Sequence, residues 1–190
     1  MQGLLNHIQK FVVLSEEEQE ILLSYITYHE VNKKDYLLRQ GQICSANYFI
    51  LQGCFRLYYM NDNGTEQILH FGIDNWWIAD YESLEKQTPS EFYIQAIEPT
   101  RIAVLKKSIQ EELFNKVPKM ERYFRLVFQK AYTASQMRIK YIYTFTGEER
   151  YHHFNKSFPG FVQRIPQYML ASYLGFTPEF LSKIRGKKEK

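Results

Sequence analysis

Cysteine is almost absent from this 190-residue chain: Cys44 and Cys54 are the only two. Two thiols supply neither a disulfide framework nor a four-ligand iron–sulfur or metal site, and a reducing compartment keeps both as thiols. No run of 18 apolar residues occurs, so no membrane-spanning helix is expected. The N-terminus lacks a basic start followed by an apolar stretch, so no secretory signal is expected and a cytoplasmic location is. Histidine is scarce, five in all. A metal-binding barrel enzyme needs a cluster such as His-x-His with a nearby Glu on adjacent strands. The β-rich part of the chain offers only His29 and His70, and the neighbours His152 and His153 cannot face one metal from a helix. Neither a nucleophile elbow nor a P-loop is present. These absences point away from an enzyme and imply no metal and no cofactor.

What the chain does contain is enough apolar residue for a core: 45% hydrophobic and 16% aromatic. Net charge is only +3, but it is uneven. From Gly147 to Lys190 there are 8 Lys/Arg against 4 Asp/Glu, whereas the rest of the chain holds 16 against 17. A basic end on a near-neutral body suits a phosphate-contacting module.

The pattern along the chain predicts three parts. Leu4, Leu5, Ile8 and Phe11 share a helical face. Ser15-Glu16-Glu17-Glu18 reads as an N-cap with an acidic first turn. From about residue 29 to 106, short β-rich runs follow one another: Tyr36–Leu38, Tyr48–Leu51, Phe55–Met60, Gln67–Phe71, Phe92–Ala96 and Arg101–Leu105. Asn61-Asp62-Asn63-Gly64 between two of them is a hairpin signal. Such a series predicts an antiparallel barrel or jelly roll. Pro118 then opens a long helix with Met120, Phe124, Val127, Ala131, Ala134, Tyr141 and Phe145 spaced by three or four, interrupted by Arg138. A helix of that length needs a partner for its stripe, and a second copy of the chain is the simplest. Thr146-Gly147-Glu148-Glu149 breaks it and caps a new helix; Phe161–Ile165 is expected as a short strand. The expected class is α+β, with a sensor domain over 1–117, a dimerisation helix over 118–145 and a reader domain over 146–190.

The reader is expected between Gln167 and Gly186. With Gln167 as the first position of a helix-turn-helix, Ala171 is the small residue where two helices cross, and Gly175 is the turn residue that tolerates positive φ. Leu170, Leu174, Phe176, Leu181 and Ile184 fall at the apolar positions. Thr177 is placed to cap the second helix, with Pro178 and Glu179 in its first turn. Glu179, Ser182 and Lys183 are expected to face base edges of double-stranded DNA; Gln167, Thr177, Pro178, Arg185, Lys187 and Lys188 complete the DNA-binding set, with Thr177, Arg185, Lys187 and Lys188 on phosphates. The competing readings are a sensor or protein-interaction module whose reader no longer binds DNA, and a small-ligand-binding barrel.

The order barrel, long helix, helix-turn-helix resembles the Crp/Fnr family of bacterial transcription regulators. In the barrel, Leu37-Leu38-x-x-Gly41-Gln42-x-Cys44-x-x-Asn47-Tyr48-Phe49-Ile50-x-x-Gly53 is similar to the first signature of the cyclic-nucleotide-binding fold, with Asn47 departing from an apolar run. The resemblance implies a winged-helix-like reader, a homodimer on an inverted repeat, and RNA polymerase as a further partner. It also implies where a nucleotide would bind. The family's nucleotide binders carry Phe/Ile-Gly-Glu and, later, Arg-Ser/Thr-Ala, whose arginine forks onto the cyclic phosphate. Here Phe71-Gly72 is followed by Ile73, and Ser90-Glu91-Phe92 stands where the arginine motif belongs. Arg101 is the only arginine from 57 to 121 and falls beyond that strand. A phosphate beside Glu91 without a cation is repelled, so no response to a cyclic nucleotide is expected and the effector stays open. The tentative pocket comprises Arg56, Phe71, Gly72, Trp76, Trp77, Ser90 and Glu91, with Trp76 and Trp77 expected to fill it.

Overall fold

A computed structural model describes residues 2–186. Two short helices, α1 (Gln2–Gln9) and α2 (Glu16–Ser24), precede the strands. In α2 the Ser15 hydroxyl accepts from the Glu18 amide, and the Glu18 carboxylate accepts from the Ser15 amide, so the acidic start works as a reciprocal cap. The strands are β1 (Thr27–Val31), β2 (Tyr36–Leu38), β3 (Ala46–Gln52), β4 (Cys54–Met60), β5 (Glu66–Ile73), β6 (Trp77–Ile78), β7 (Tyr93–Ala96) and β8 (Thr100–Lys106). They form two four-stranded sheets, ordered β1-β8-β3-β6 and β2-β7-β4-β5. Pairing is antiparallel, with Tyr48 facing Val104 across β3 and β8, and Leu57 facing Ile94 across β4 and β7. Gly53 turns β3 into β4 with φ of 118°, and a Cβ there would meet Thr100 at 2.4 Å. A larger residue is therefore excluded both by backbone and by space.

Helices make up the rest: α3 (Tyr81–Lys86) inside the β region, then α4 (Lys107–Lys116), α5 (Lys119–Thr144), α6 (Gly147–Ser157), α7 (Pro159–Arg164), α8 (Gln167–Leu174) and α9 (Pro178–Gly186). Thr146 and Glu149 form a second reciprocal cap at the start of α6. The backbone N–H of Thr146, and then its hydroxyl, hold the Glu149 carboxyl below the usual carboxylate range. The chain divides into two units. One is Met1–Tyr59 with His70–Gln129; the other is Met60–Leu69 with Lys130–Lys190. The long helix and strand β5 thus each contribute to both.

The first unit has its main apolar cluster where α1, α2, α4 and the start of α5 meet β3 and β8. Leu4, Ile8, Phe49, Ala103, Leu105, Leu113, Val117 and Tyr123 are fully buried there. One expectation changes. Residues 161–165 are not a strand: Pro159 opens α7, and Phe161, Val162 and Ile165 are buried at helical spacing. Proline at the first helical position is already set for helix and has no N–H to leave unpaired. The stripe from Met120 to Phe145 divides: Ala131 and Ala134 in its middle are exposed, whereas its two ends pack within the chain. Met120 and Phe124 are buried in their own unit, while Tyr141 and Phe145 stack on each other at 4.8 Å and meet the His153 ring of α6 at an angle.

Candidate nucleic-acid interface and barrel interior

The reader begins at α8. Pro166 precedes it with extended backbone, and Gln167 is exposed in its first turn. Met169, Leu170 and Ala171 are buried, Ala171 with no exposure at all. Gly175 ends the helix in the left-handed region, φ 75° and ψ 37°, and its N–H returns to the carbonyls of Ala171 and Ser172. Phe176 N–H also bonds the Ala171 carbonyl at 2.8 Å. This is the Gly-ended turn that frees a chain to reverse into a second helix. Thr177 then caps α9: its hydroxyl accepts from the Phe180 N–H at 3.2 Å. Leu181 and Ile184 are buried, and Leu174 and Phe176 half-buried. Pro178, Glu179, Ser182, Lys183 and Arg185 are all exposed. Lys187 and Lys188 lie outside the described residues.

The long helix carries a second, exposed face beside that stripe. Phe128, Tyr132, Ile139 and Ile142 are 39%, 67%, 55% and 47% exposed, and Ser135 lies between them in the same row. Their spacing is four, three, four, three, the repeat of a coiled-coil seam. Arg138 is not part of it. Its guanidinium donates to the carbonyls of Leu69 and Tyr173 and lies 4.1 Å over the Tyr173 ring.

In the barrel, the residues of the tentative pocket occupy separate environments. Phe71 is buried, and a Cβ on Gly72 would meet Ile50 at 2.6 Å, so this part of β5 is pressed into the apolar interior. Trp76 is 38% exposed and stacks on His70. Trp77 is buried in the cluster of the first unit, against Phe49 and Phe124, and its indole N–H donates to the Tyr123 hydroxyl. Glu91 is exposed. Arg56 is buried and donates through Nε and Nη2 to the Gln95 side-chain oxygen at 3.0 and 2.7 Å, with Tyr58 beneath its guanidinium.

Ser90 leads to a residue that the sequence did not single out. It is buried, and its hydroxyl donates to Asp80 at 2.6 Å. Asp80 is buried too, and caps α3 by accepting from the amides of Glu82 and Ser83. One carboxyl group thus takes three donors at the start of α3, between Phe71-Gly72 and Ser90. An Asp directly before a short helix with an acid in its first turn is a recognisable N-cap pattern, so the signal was present.

Residues 28–117 match the family model described as cyclic nucleotide-binding domain. The chain is 24% identical over 189 residues to the anaerobic regulatory protein of Haemophilus influenzae, covering 93% of this chain and 73% of that protein. Among solved structures, it is similar to FixK2 from Bradyrhizobium japonicum, with a TM-score of 0.72, 17% identity and coverage of 84% and 82% of the two chains. It is also similar to the c-di-GMP-responsive global regulator CLP of Xanthomonas campestris, with a TM-score of 0.73, 11% identity and coverage of 90% and 89%. Among the described residues no helix is long and apolar enough to cross a membrane.

Proposed function

We propose that the chain is a transcription regulator of the Crp/Fnr type, that it binds double-stranded DNA as a homodimer and reads an inverted repeat, and that it does so without a cyclic nucleotide. The observation that carries this reading is α9: Leu181 and Ile184 are buried, while Glu179, Ser182, Lys183 and Arg185 stand exposed on a capped helix. Glu179, Ser182 and Lys183 are the base readers. Gln167, Thr177, Pro178 and Arg185 position the helix on the backbone, with Lys187 and Lys188 adding phosphate contacts. The domain limits proposed are 1–117, 118–145 and 146–190.

The dimer forms along the exposed row Phe128, Tyr132, Ser135, Ile139 and Ile142. The row supports this because apolar side chains at four-three spacing bury one another when two such helices run side by side. One helix-turn-helix covers too little surface for selective binding, so two readers about 10 base pairs apart are needed. RNA polymerase is the proposed further partner.

The barrel interior supports independence from cyclic nucleotides. Asp80 already takes the α3 amides and the Ser90 hydroxyl, and Arg56 is committed to Gln95. An incoming phosphate would meet a carboxyl group in place of a fork of donors.

The test is selection of genomic fragments with purified protein, followed by footprinting on the recovered duplex. Two protected half-sites related by a dyad, weakened steeply by salt, are expected. Protection of one asymmetric half-site by a monomer, or no duplex binding in low salt, overturns the proposal.

A further inference from the structure

Three carbonyls at the end of α8 accept from side chains outside the helix-turn-helix. The Ser172 carbonyl accepts from the Gln67 amide at 2.6 Å, that of Tyr173 from Arg138 at 3.0 Å, and that of Leu174 from Arg150 at 3.2 Å. The donors come from three elements, β5, α5 and α6, all within the second unit. Ser172 adds two more bonds. Its hydroxyl accepts from the Ile68 N–H at 3.0 Å and donates to the Glu66 carbonyl at 3.1 Å. That single hydroxyl does for two β5 backbone groups what a neighbouring strand would do. Carbonyls at a helix C-terminus are the negative end of its dipole, so guanidinium groups there are favourable.

Arg138 differs from the other two donors in where it is anchored. It lies on α5 immediately before Ile139 and four residues before Ile142, both in the exposed row. One turn of helix therefore carries part of the dimer row and, on the adjoining face, the grip on the reader. Arg138 also spans two carbonyls, Leu69 and Tyr173, and stacks on the Tyr173 ring. A planar fork can do this; a lysine ammonium offers neither the fork nor the stack.

We propose that Arg138 is a positioning residue for DNA recognition: it registers α8 on the long helix, and so sets the separation of the two reading helices in the dimer. This rests on the dimeric DNA-reading function proposed above. Removing Arg138 leaves α9 and its exposed residues in place but lets the reader shift on the helix that carries the dimer row. Selectivity for half-site spacing is then lost before affinity for a half-site is.

The experiment uses the full chain and duplexes bearing two inverted copies of the half-site recovered with the wild-type protein. Their separation is varied in single base-pair steps around the native value, and a duplex with one half-site is included. Wild type is expected to prefer its best spacing by about tenfold or more over a one-step change. Arg138→Lys and Arg138→Ala are expected to remain dimers in sedimentation and to bind the single half-site as wild type does. Their preference among spacings should fall by roughly tenfold. Should Arg138→Ala fail to fold, Arg138→Lys and Gln67→Ala carry the comparison. If Arg138→Lys keeps the wild-type spacing profile, or if wild type shows a flat one, the inference is wrong while DNA binding stands. If wild type binds no duplex, the proposed function itself fails.

Discussion

The indole N–H of Trp77 donates to the hydroxyl oxygen of Tyr123 at 2.8 Å, and both side chains are buried. Indole nitrogen is a donor only, so the Tyr123 oxygen accepts here and its own hydrogen is free for the second partner, Nδ1 of His7, also at 2.8 Å. The Tyr123 hydroxyl thus links β6, α5 and α1: it accepts from Trp77 and shares with His7 a hydrogen bond whose direction follows the imidazole tautomer. Burial pushes the Tyr123 hydroxyl above the ordinary tyrosine range, which keeps it neutral. Tyr123→Phe leaves the Trp77 N–H buried without an acceptor and should cost about 1–3 kcal/mol in denaturant unfolding. Trp77→Phe combined with Tyr123→Phe removes both partners, and the double variant should lose less than the two single losses added together. Strict additivity would show that the pair is not coupled.

The exposed row of α5 makes a prediction about assembly. Ile139 is 55% exposed in the single chain and lies near the middle of the row. Ile139→Glu places like charges against each other across a parallel seam, so sedimentation should report a monomer at micromolar concentration. Met120→Glu would instead strike the core of one chain, since Met120 is buried there. Loss of dimer without loss of folded helix in Ile139→Glu, by circular dichroism, is the discriminating result. A dimer that survives places the interface elsewhere.

That contrast also shows what a single sequence can and cannot resolve. Three-and-four spacing along α5 generates two neighbouring stripes, and only the fold reveals that Tyr141, Phe145 and Arg138 are used within the chain. The hairpin was plain because Asn61-Asp62-Asn63-Gly64 is self-contained: the Asn61 side chain accepts from the amides of Asn63 and Thr65. Strand β1 was not plain. Thr27, His29 and Glu30 are exposed and only Val31 is buried, so no apolar alternation marks it; it exists because β8 pairs with it. The helix-turn-helix was read almost residue for residue because Ala171, Gly175, Leu181 and Ile184 each meet a steric demand at a fixed position. The barrel interior was harder, because Trp76 and Trp77 are adjacent in sequence yet one is half-exposed and the other is in the core. Trp76 lies in the turn before β6, whereas Trp77 opens that strand and faces the core.

Two substitutions separate the roles of the α9 side chains. Lys183→Ala should change which base is preferred, at about 1–3 kcal/mol for a lost base contact. Arg185→Ala should weaken all duplexes alike and flatten the dependence of affinity on salt. Both residues are exposed, so neither change should alter the melting temperature. An unchanged sequence preference in Lys183→Ala would mean that the reading face is misassigned.

The cap at the start of α6 responds to pH in a defined direction. The Glu149 carboxyl is lowered first by the Thr146 backbone N–H and then by its hydroxyl. A carboxyl with a depressed folded-state pKa adds stability above its unfolded value, and that stability disappears as pH falls through the folded value. Glu149→Ala should therefore melt below wild type at neutral pH, and the gap should close as pH falls below the usual carboxylate range. A gap that stays constant down to acid would assign the effect to helix propensity and not to the cap.

Titration with cyclic nucleotides tests the barrel directly. The buried Asp80 carboxyl group caps α3 and accepts from Ser90, and the nearest candidate cation from sequence, Arg56, is bonded to Gln95. A cyclic phosphate entering here would have to shed water, displace Asp80 from its donors and remain close to it, at a cost of several kcal/mol. Trp76 is 38% exposed and stacks on His70 of β5, so its fluorescence reports on ligands near this strand, while Trp77 reports on the buried cluster. Neither cyclic AMP nor cyclic GMP is expected to change the fluorescence or release calorimetric heat up to about millimolar concentration, and DNA affinity should be the same with and without them. Saturable binding below about 100 μM would mean that Arg56 exchanges Gln95 for the phosphate. Arg56→Gln would then abolish that binding, and independence from cyclic nucleotides would be disproved.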